Sequence, residues 1–201
     1  MNNWMDEQAL MERVKKGDES AFARLMTIYK DRIVNFLYQA TGDYQLAVDL
    51  AQETFLRVYF KAKKYRPIAP VSAWIYSIAA NLARTEKKKL SRQQTISLEE
   101  IVNDYSSGSY SVDHADPGLM RNVRQALKRL HPRYRIPLIL KDVEGFSQEE
   151  IAEVLKLPLG TVKARISRGR EYIRRWLEEG QEIKNRKDKS DNETENDFHE
   201  L

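Results

Sequence analysis

Two groups of side chains in this 201-residue chain are spaced for recognition chemistry. Asp49, Gln52 and Glu53 stand three and four residues apart, which places two carboxylates and an amide on one helical face. Lys163, Ala164, Ser167 and Arg168 share a second helical face. Those types match the edges of bases in a DNA major groove: arginine bonds guanine twice, serine adapts, and an alanine methyl touches thymine. Gly160 and Thr161 precede them, where the opening amides of a helix can hold a phosphate. Arg165, Arg170, Arg174 and Arg175 suit contacts to the DNA backbone. A third group mixes rings with cations. Tyr65 lies in Lys63-Lys64-Tyr65-Arg66, and Tyr76 sits on the side of its helix shared with Ser72, Asn81 and Arg84. Such a set can stack a base that has left the duplex, or its tyrosines can simply lie on their own helix surface.

Catalysis finds less support. The chain has no cysteine, which excludes thiolate metal sites, thiol nucleophiles and disulfides. His114, His131 and His199 fall in a linker, a helix start and a tail, without metal-ligand spacing. No phosphate-binding glycine loop is present, and no pair of carboxylates is set for acid–base work. The sequence therefore points to no metal and no cofactor.

The elements that position these groups are helices. Leu10 and Val14 begin a short one that Gly17 can stop, and Asp18 or Ser20 can cap the next. Phe22, Leu25, Met26, Tyr29, Ile33, Phe36 and Leu37 then form one apolar stripe up to Gly42-Asp43. Ala47, Leu50, Ala51, Thr54, Phe55 and Val58 mark a third helix, where Phe55 reads as core. Pro67 and Pro70 bracket a loop, and Val71, Trp74, Ile75, Ile78, Ala79 and Leu82 mark a fourth helix. Further on, Val123, Leu127 and Leu130 share one face, and Pro132 starts another helix in which Pro137 predicts a kink or a late start. Ser147 with Glu150 is a capping box. Lys156-Leu157-Pro158-Leu159-Gly160 is a tight turn into Thr161–Trp176, whose buried side carries Val162, Ile166, Gly169 and Ile173. Two short helices about a tight turn, the second rich in cations, form a helix-turn-helix.

Charge follows the same division. Residues 1–90 carry 15 basic against ten acidic side chains, and residues 119–175 carry 14 against six. The segment between them and the segment after 175 are net acidic. The fold class is all-α: two small helical domains, 1–90 and 119–180, joined by a flexible acidic linker 91–118 and followed by a disordered acidic tail 181–201. Basic blocks suit a polyanion, although exposed helix faces are often basic too. An acidic strip on a basic domain is wrong for DNA and is either a solvated face or a dock for a protein with basic side chains. No apolar run is long enough for a membrane span and no signal-peptide core is visible, so the expected location is cytoplasmic.

At this point three segments carry a resemblance: Asp49-Leu50-Ala51-Gln52-Glu53-Thr54-Phe55, Trp74-Ile75-Tyr76-Ser77-Ile78-Ala79-Ala80-Asn81 and Gly160-Thr161-Val162-Lys163-Ala164-Arg165. In this order and spacing the chain resembles a bacterial RNA polymerase sigma factor of the extracytoplasmic-function (ECF) subfamily. The resemblance implies a protein without catalytic activity that binds core polymerase, through the β′ clamp and the β subunit, and directs it to promoter DNA. It implies that Asp49, Gln52, Glu53 and Phe55 contact the polymerase. Tyr65, Arg66, Trp74, Tyr76, Asn81 and Arg84 would open and read the −10 element, with a flipped base taken by the Tyr65–Pro70 loop. Gly160, Thr161, Lys163, Ala164, Ser167 and Arg168 would read the −35 element, with Lys141 and Ser147 near its phosphates. It also implies control by an anti-sigma factor. Lys156 departs from the family, which often has Gly there. A stand-alone helix-turn-helix regulator would need no acidic strip, and an enzyme acting on nucleic acid would need the catalytic groups this chain lacks.

Overall fold

A computed structural model of the chain describes residues 3–94 and 117–196. Among the described residues there are α-helices and one 3-10 turn, and no strand. The first domain comprises α1 (Asn3–Lys15), α2 (Glu19–Thr41), α3 (Tyr44–Lys61), the 3-10 turn Ala62–Lys64 and α4 (Val71–Gln94). The second comprises α5 (Pro117–Arg129), α6 (Pro132–Asp142), α7 (Gln148–Leu155) and α8 (Leu159–Asn196).

The helix boundaries follow from local chemistry. Asp18, rather than Ser20, caps α2: its carboxylate accepts from the Ala21 amide at 3.0 Å, and the Ser20 hydroxyl donates to the same oxygen at 2.8 Å. Gly42, at φ +86°, ends α2 in the left-handed conformation that a Cβ disfavours, and its amide donates to the Tyr38 carbonyl. Asp43 immediately caps α3, accepting from Leu46 at 3.0 Å. The stripe Leu25, Tyr29, Ile33, Phe36 and Leu37 is buried as its spacing predicts. Within this core the Tyr29 hydroxyl donates to the buried Glu7 carboxylate at 2.6 Å. Burial and that neighbouring carboxylate both push the Tyr29 pKa up, so the phenol stays protonated and remains the donor.

In the second domain, α6 runs from Pro132 through Pro137, so it does not start late. Its approach to α8 is set by Gly169, where an added Cβ would lie 3.4 Å from Leu138 Cδ2 and 3.5 Å from the Tyr134 carbonyl. The capping box of α7 is formed in both directions: Ser147 Oγ accepts from the Glu150 amide at 3.0 Å, and the Glu150 carboxylate accepts from the Ser147 amide at 2.7 Å. Helix α8 continues to Asn196, into the expected tail 181–201, of which residues 197–201 lie outside the described residues. Extending a formed helix needs no new nucleus, and charged straight-chain residues lose little by it. The expected linker narrows to residues 95–116, which lie outside the described residues, because α4 reaches Gln94 and α5 begins at Pro117.

The two domains pack together, α2 against α5 and α6, and α4 against α7. Two charged groups hold this contact. Arg135, 2% exposed, donates from Nε to the Leu130 carbonyl at 3.1 Å, from Nη1 to the Ala40 carbonyl at 3.0 Å, and from Nη2 to the Lys128 carbonyl. Ala40 lies in the last turn of α2, where the helix dipole favours a cation. Burial lowers the Arg135 pKa to about 10, which leaves it charged at neutral pH. The second group is Glu144, from the loop before α7. Its carboxylate accepts from the Tyr76 hydroxyl of α4 and faces Arg32 Nη2 of α2 at 3.4 Å.

Candidate docking and nucleic-acid interfaces

Helix α3 presents the acidic strip as the spacing requires. Its inner face buries Ala47, Leu50, Ala51, Thr54, Phe55 and Val58, which turns Asp49 and Gln52 to solvent and leaves Glu53 half-exposed. Glu53 accepts from Arg57 Nε one turn on at 2.7 Å, and Asp49 accepts from Gln45 at 3.4 Å. Phe55 corrects an expectation of exposure: at 5% it packs in the core. The apolar groups on the outer face are instead Leu56 and Phe60, at 53% and 78% exposure. Sequence reasoning missed both, although steps of three and four residues from Glu53 already placed them in line with it.

The loop before α4 is built around Tyr65. That ring is buried, packs on Trp74 with centroids 5.5 Å apart, and its hydroxyl donates to the Ala69 carbonyl at 2.8 Å. Tyr65 therefore fixes the loop and is not open to a base, a second correction. The exposed groups of the loop are Lys63, Lys64, Arg66, Pro67 and Ile68. Trp74 is half-buried, while Asn81 and Arg84 are exposed one turn apart on α4. Tyr76 is the third correction. It is fully buried, edge-on to Phe36 at 5.2 Å and to Phe146 of the second domain at 5.0 Å. In this arrangement no base can reach it.

The helix-turn-helix is formed by α7, the turn at Lys156 and α8. Lys156 ends α7 at φ 52° and ψ 53°, the left-handed conformation that its place in the turn implies. Lys163, Ala164, Ser167 and Arg168 are exposed together, while Val162 and Ile166 are buried behind them. A concavity of about 370 Å³ lies beside them, lined by Arg133, Tyr134, Gly160, Thr161, Ala164, Arg165 and Arg168. Because α8 begins at Leu159, two residues earlier than expected, the Thr161 amide donates to the Pro158 carbonyl at 2.9 Å and is not open to a phosphate. Lys141 Nζ donates to the Phe146 carbonyl at 3.2 Å, and Ser147 is taken up by its cap. Arg170 pairs with Asp142, and Arg174 and Arg175 both pair with Glu171, so these three cations are less available to DNA than their spacing suggested.

The two basic surfaces meet. Arg84 of α4 and Arg165 of α8 line one cavity of about 520 Å³, together with Lys128, Arg129 and Arg133 over a floor that includes Leu130, Pro137 and Leu155. Among the described residues no group of three or more His, Asp or Glu side chains could hold a metal, and no helix is long and apolar enough to cross a membrane.

Fold and surfaces together define an all-helical protein with a helix-turn-helix that exposes Lys163, Ala164, Ser167 and Arg168, and a separate α3 face that carries Asp49 and Glu53. Comparison with known proteins agrees. The family model described as sigma-70 region 2 matches residues 25–93, and that described as sigma-70, region 4 matches residues 120–173. The chain is 35% identical over 178 residues to the ECF RNA polymerase sigma factor SigW of Bacillus subtilis, covering 83% of this chain and 94% of that protein. It is 31% identical over 183 residues to the RNA polymerase sigma-H factor of Pseudomonas aeruginosa, covering 86% and 94%. Its fold resembles that of the sigma factor RpoE of Bartonella quintana, solved with the anti-sigma factor NepR, at TM-score 0.65 and 24% identity over 78% of this chain and 96% of that one. It also resembles CnrH, solved with the cytosolic domain of CnrY, at TM-score 0.64 and 22% identity over 86% and 97%. The chain belongs to the ECF RNA polymerase sigma factors.

Proposed function

We propose that this chain docks on core RNA polymerase through the outer face of α3 and carries the enzyme to promoters that it reads at two places. The observation that carries the reading is the placing of charge: Asp49 and Glu53 share the outer face of α3, Glu53 paired to Arg57, while cations line the loop before α4 and the exposed face of α8. Arg66, Asn81 and Arg84 serve the −10 element. Lys163, Ala164, Ser167 and Arg168 serve the −35 element. Opening the −10 duplex costs a few kcal/mol of unstacking, which contacts to the extruded base return. The chain does no chemistry of its own and acts beside the polymerase in the cell interior.

Promoter geometry adds a condition. Elements 25 base pairs apart are separated by about 85 Å at roughly 3.4 Å per base pair. Arg84 and Arg165 rim a single cavity here, so the two domains must part before both elements are read. A protein that stabilises the packed pair keeps the two elements from being read together. A neighbouring fold solved with an anti-sigma factor supports such control for this chain.

The test is run-off transcription with purified core polymerase, comparing the wild-type chain with Glu53→Lys. The wild type gives promoter-specific transcripts. The lysine reverses the charge beside Asp49 and is expected to lower polymerase binding tenfold or more, the size seen for a residue at the centre of an interface. Undiminished binding and transcription would contradict the assignment of α3.

A further inference from the structure

We infer that the polymerase-docking face of α3 has a second, apolar half made by Leu56 and Phe60, and that it seats in a hydrophobic hollow of the polymerase beside the basic groups that meet Asp49 and Glu53. The inference rests on the reading of α3 as the docking helix and extends it.

Asp49, Glu53, Leu56 and Phe60 follow one another at steps of four, three and four residues. At about 1.5 Å per residue this is one line of about 16 Å along the helix. Its first half is carboxylate and its second half is apolar. Leu56 and Phe60 are 53% and 78% exposed. The core side of the same helix is already filled by Phe55 and Val58, at 5% and 0% exposure, so it offers no inward place for either side chain.

Phe60 is also buttressed. Its ring stands edge-on to Tyr59 at 5.7 Å, and Tyr59 in turn packs against Phe22 at 5.0 Å. A ring held in place loses little freedom on binding, which suits an anchor. The two halves differ in what salt does to them. Exposed charges are screened over about 8 Å at physiological ionic strength, and Glu53 already shares its charge with Arg57. Burial of apolar surface is not screened. The carboxylates therefore orient the encounter, and Leu56 and Phe60 hold the complex.

The experiment measures binding of the labelled full-length chain to purified core polymerase at low and at high salt, for the wild type, Glu53→Lys, Leu56→Ser, Phe60→Ser and Phe60→Leu. Phe60→Ser is expected to weaken binding tenfold or more at both salts, Leu56→Ser somewhat less, and Phe60→Leu to restore most of the affinity. The penalty of Glu53→Lys is expected to shrink as salt rises. Melting temperatures should stay at the wild-type value, since both side chains are exposed. If Phe60→Ser and Leu56→Ser bind like the wild type while Glu53→Lys does not, the apolar half is wrong and the docking helix stands. If Phe60→Leu binds as poorly as Phe60→Ser, the apolar anchor is wrong as well. If Glu53→Lys and both serine variants all bind like the wild type, the assignment of α3 itself falls.

Discussion

The two surfaces proposed to read DNA are in different states of readiness. On α8, Lys163, Ala164, Ser167 and Arg168 stand exposed on a helix fixed from behind by Val162, Ile166 and the close approach at Gly169. On the first domain, the loop is held rigid by Tyr65, but Tyr76 lies under Phe146, and Arg84 opens into a cavity shared with Arg165. One surface is complete within its own domain. The other is partly covered by its neighbour, through the Tyr76–Phe146 ring contact and through polar groups: Glu144 on Tyr76 and Arg32, and Arg135 on the end of α2. Buried charged groups cost desolvation that an apolar interface would not, which offsets part of what their hydrogen bonds contribute to the contact. The contrast suits a protein whose second domain must leave the first.

The sharpest way to break the contrast is to damage the ready surface alone. Arg168→Ala removes a side chain that is exposed and contributes nothing to the core. The expected loss is about 1–3 kcal/mol per base contact, or roughly tenfold to a hundredfold in promoter affinity, with relaxed preference at one −35 position. Permanganate reactivity at the −10 element, measured once promoter is saturated, should not change. Unaltered −35 preference would remove α8 from its role as reader.

A smaller effect is expected at the covered surface. Tyr76→Phe keeps the ring between Phe36 and Phe146 and deletes the hydroxyl that donates to Glu144. In the packed form the carboxylate then faces Arg32 alone; in the parted form it is hydrated either way. The loss of about 1.5 kcal/mol falls on the packed form only, and energy transfer between dyes on the two domains should report a parted population. Acid should act in the opposite direction. Burial, opposed by the Tyr76 and Arg32 contacts, raises the Glu144 pKa in the packed form. The packed form therefore binds the proton more tightly than the parted one, and lowering the pH through that raised value shifts the balance toward packing. Energy transfer indifferent to both changes would show that Glu144 does not hold the domains.

The same contrast explains what could be read from sequence. Within a domain the code is local: the α2 stripe, a cap at Asp18 or Ser20 and the Ser147–Glu150 box follow from spacing and residue type, while the left-handed turn at Lys156 follows from the resemblance and not from the lysine. Phe55 was legible too, since it falls in register with Leu50, Ala51 and Val58; the motif drew it outward and periodicity kept it in. Tyr65 was not legible, because a loop has no period to say which side is buried. Tyr76 lies off the Trp74–Ile78 stripe and is buried between Phe36 of its own domain and Phe146 of a second domain far along the chain. Arg135 sits among cations that read as surface, and only the carbonyls of Ala40, Lys128 and Leu130 make a buried guanidinium tolerable there.

The turn that sets α8 in place gives the finest test. Lys156 adopts φ 52°, a conformation in which the Cβ of an L-residue crowds the following carbonyl at a cost of about 1–2 kcal/mol. Lys156→Gly relieves that crowding but frees the unfolded chain, which takes back about 0.4–1 kcal/mol. The backbone bonds from its amide to Ala152 and Glu153 are retained. The expected gain therefore lies between zero and about 1.6 kcal/mol, seen as up to about fifteenfold slower hydrogen exchange of the α7 amides that exchange by unfolding of the second domain. Amides of α2 that exchange by opening within the first domain should not slow. Equal slowing in both would mean that the domains unfold as one unit, and the difference in readiness would then belong to surface exposure alone and not to independent stability.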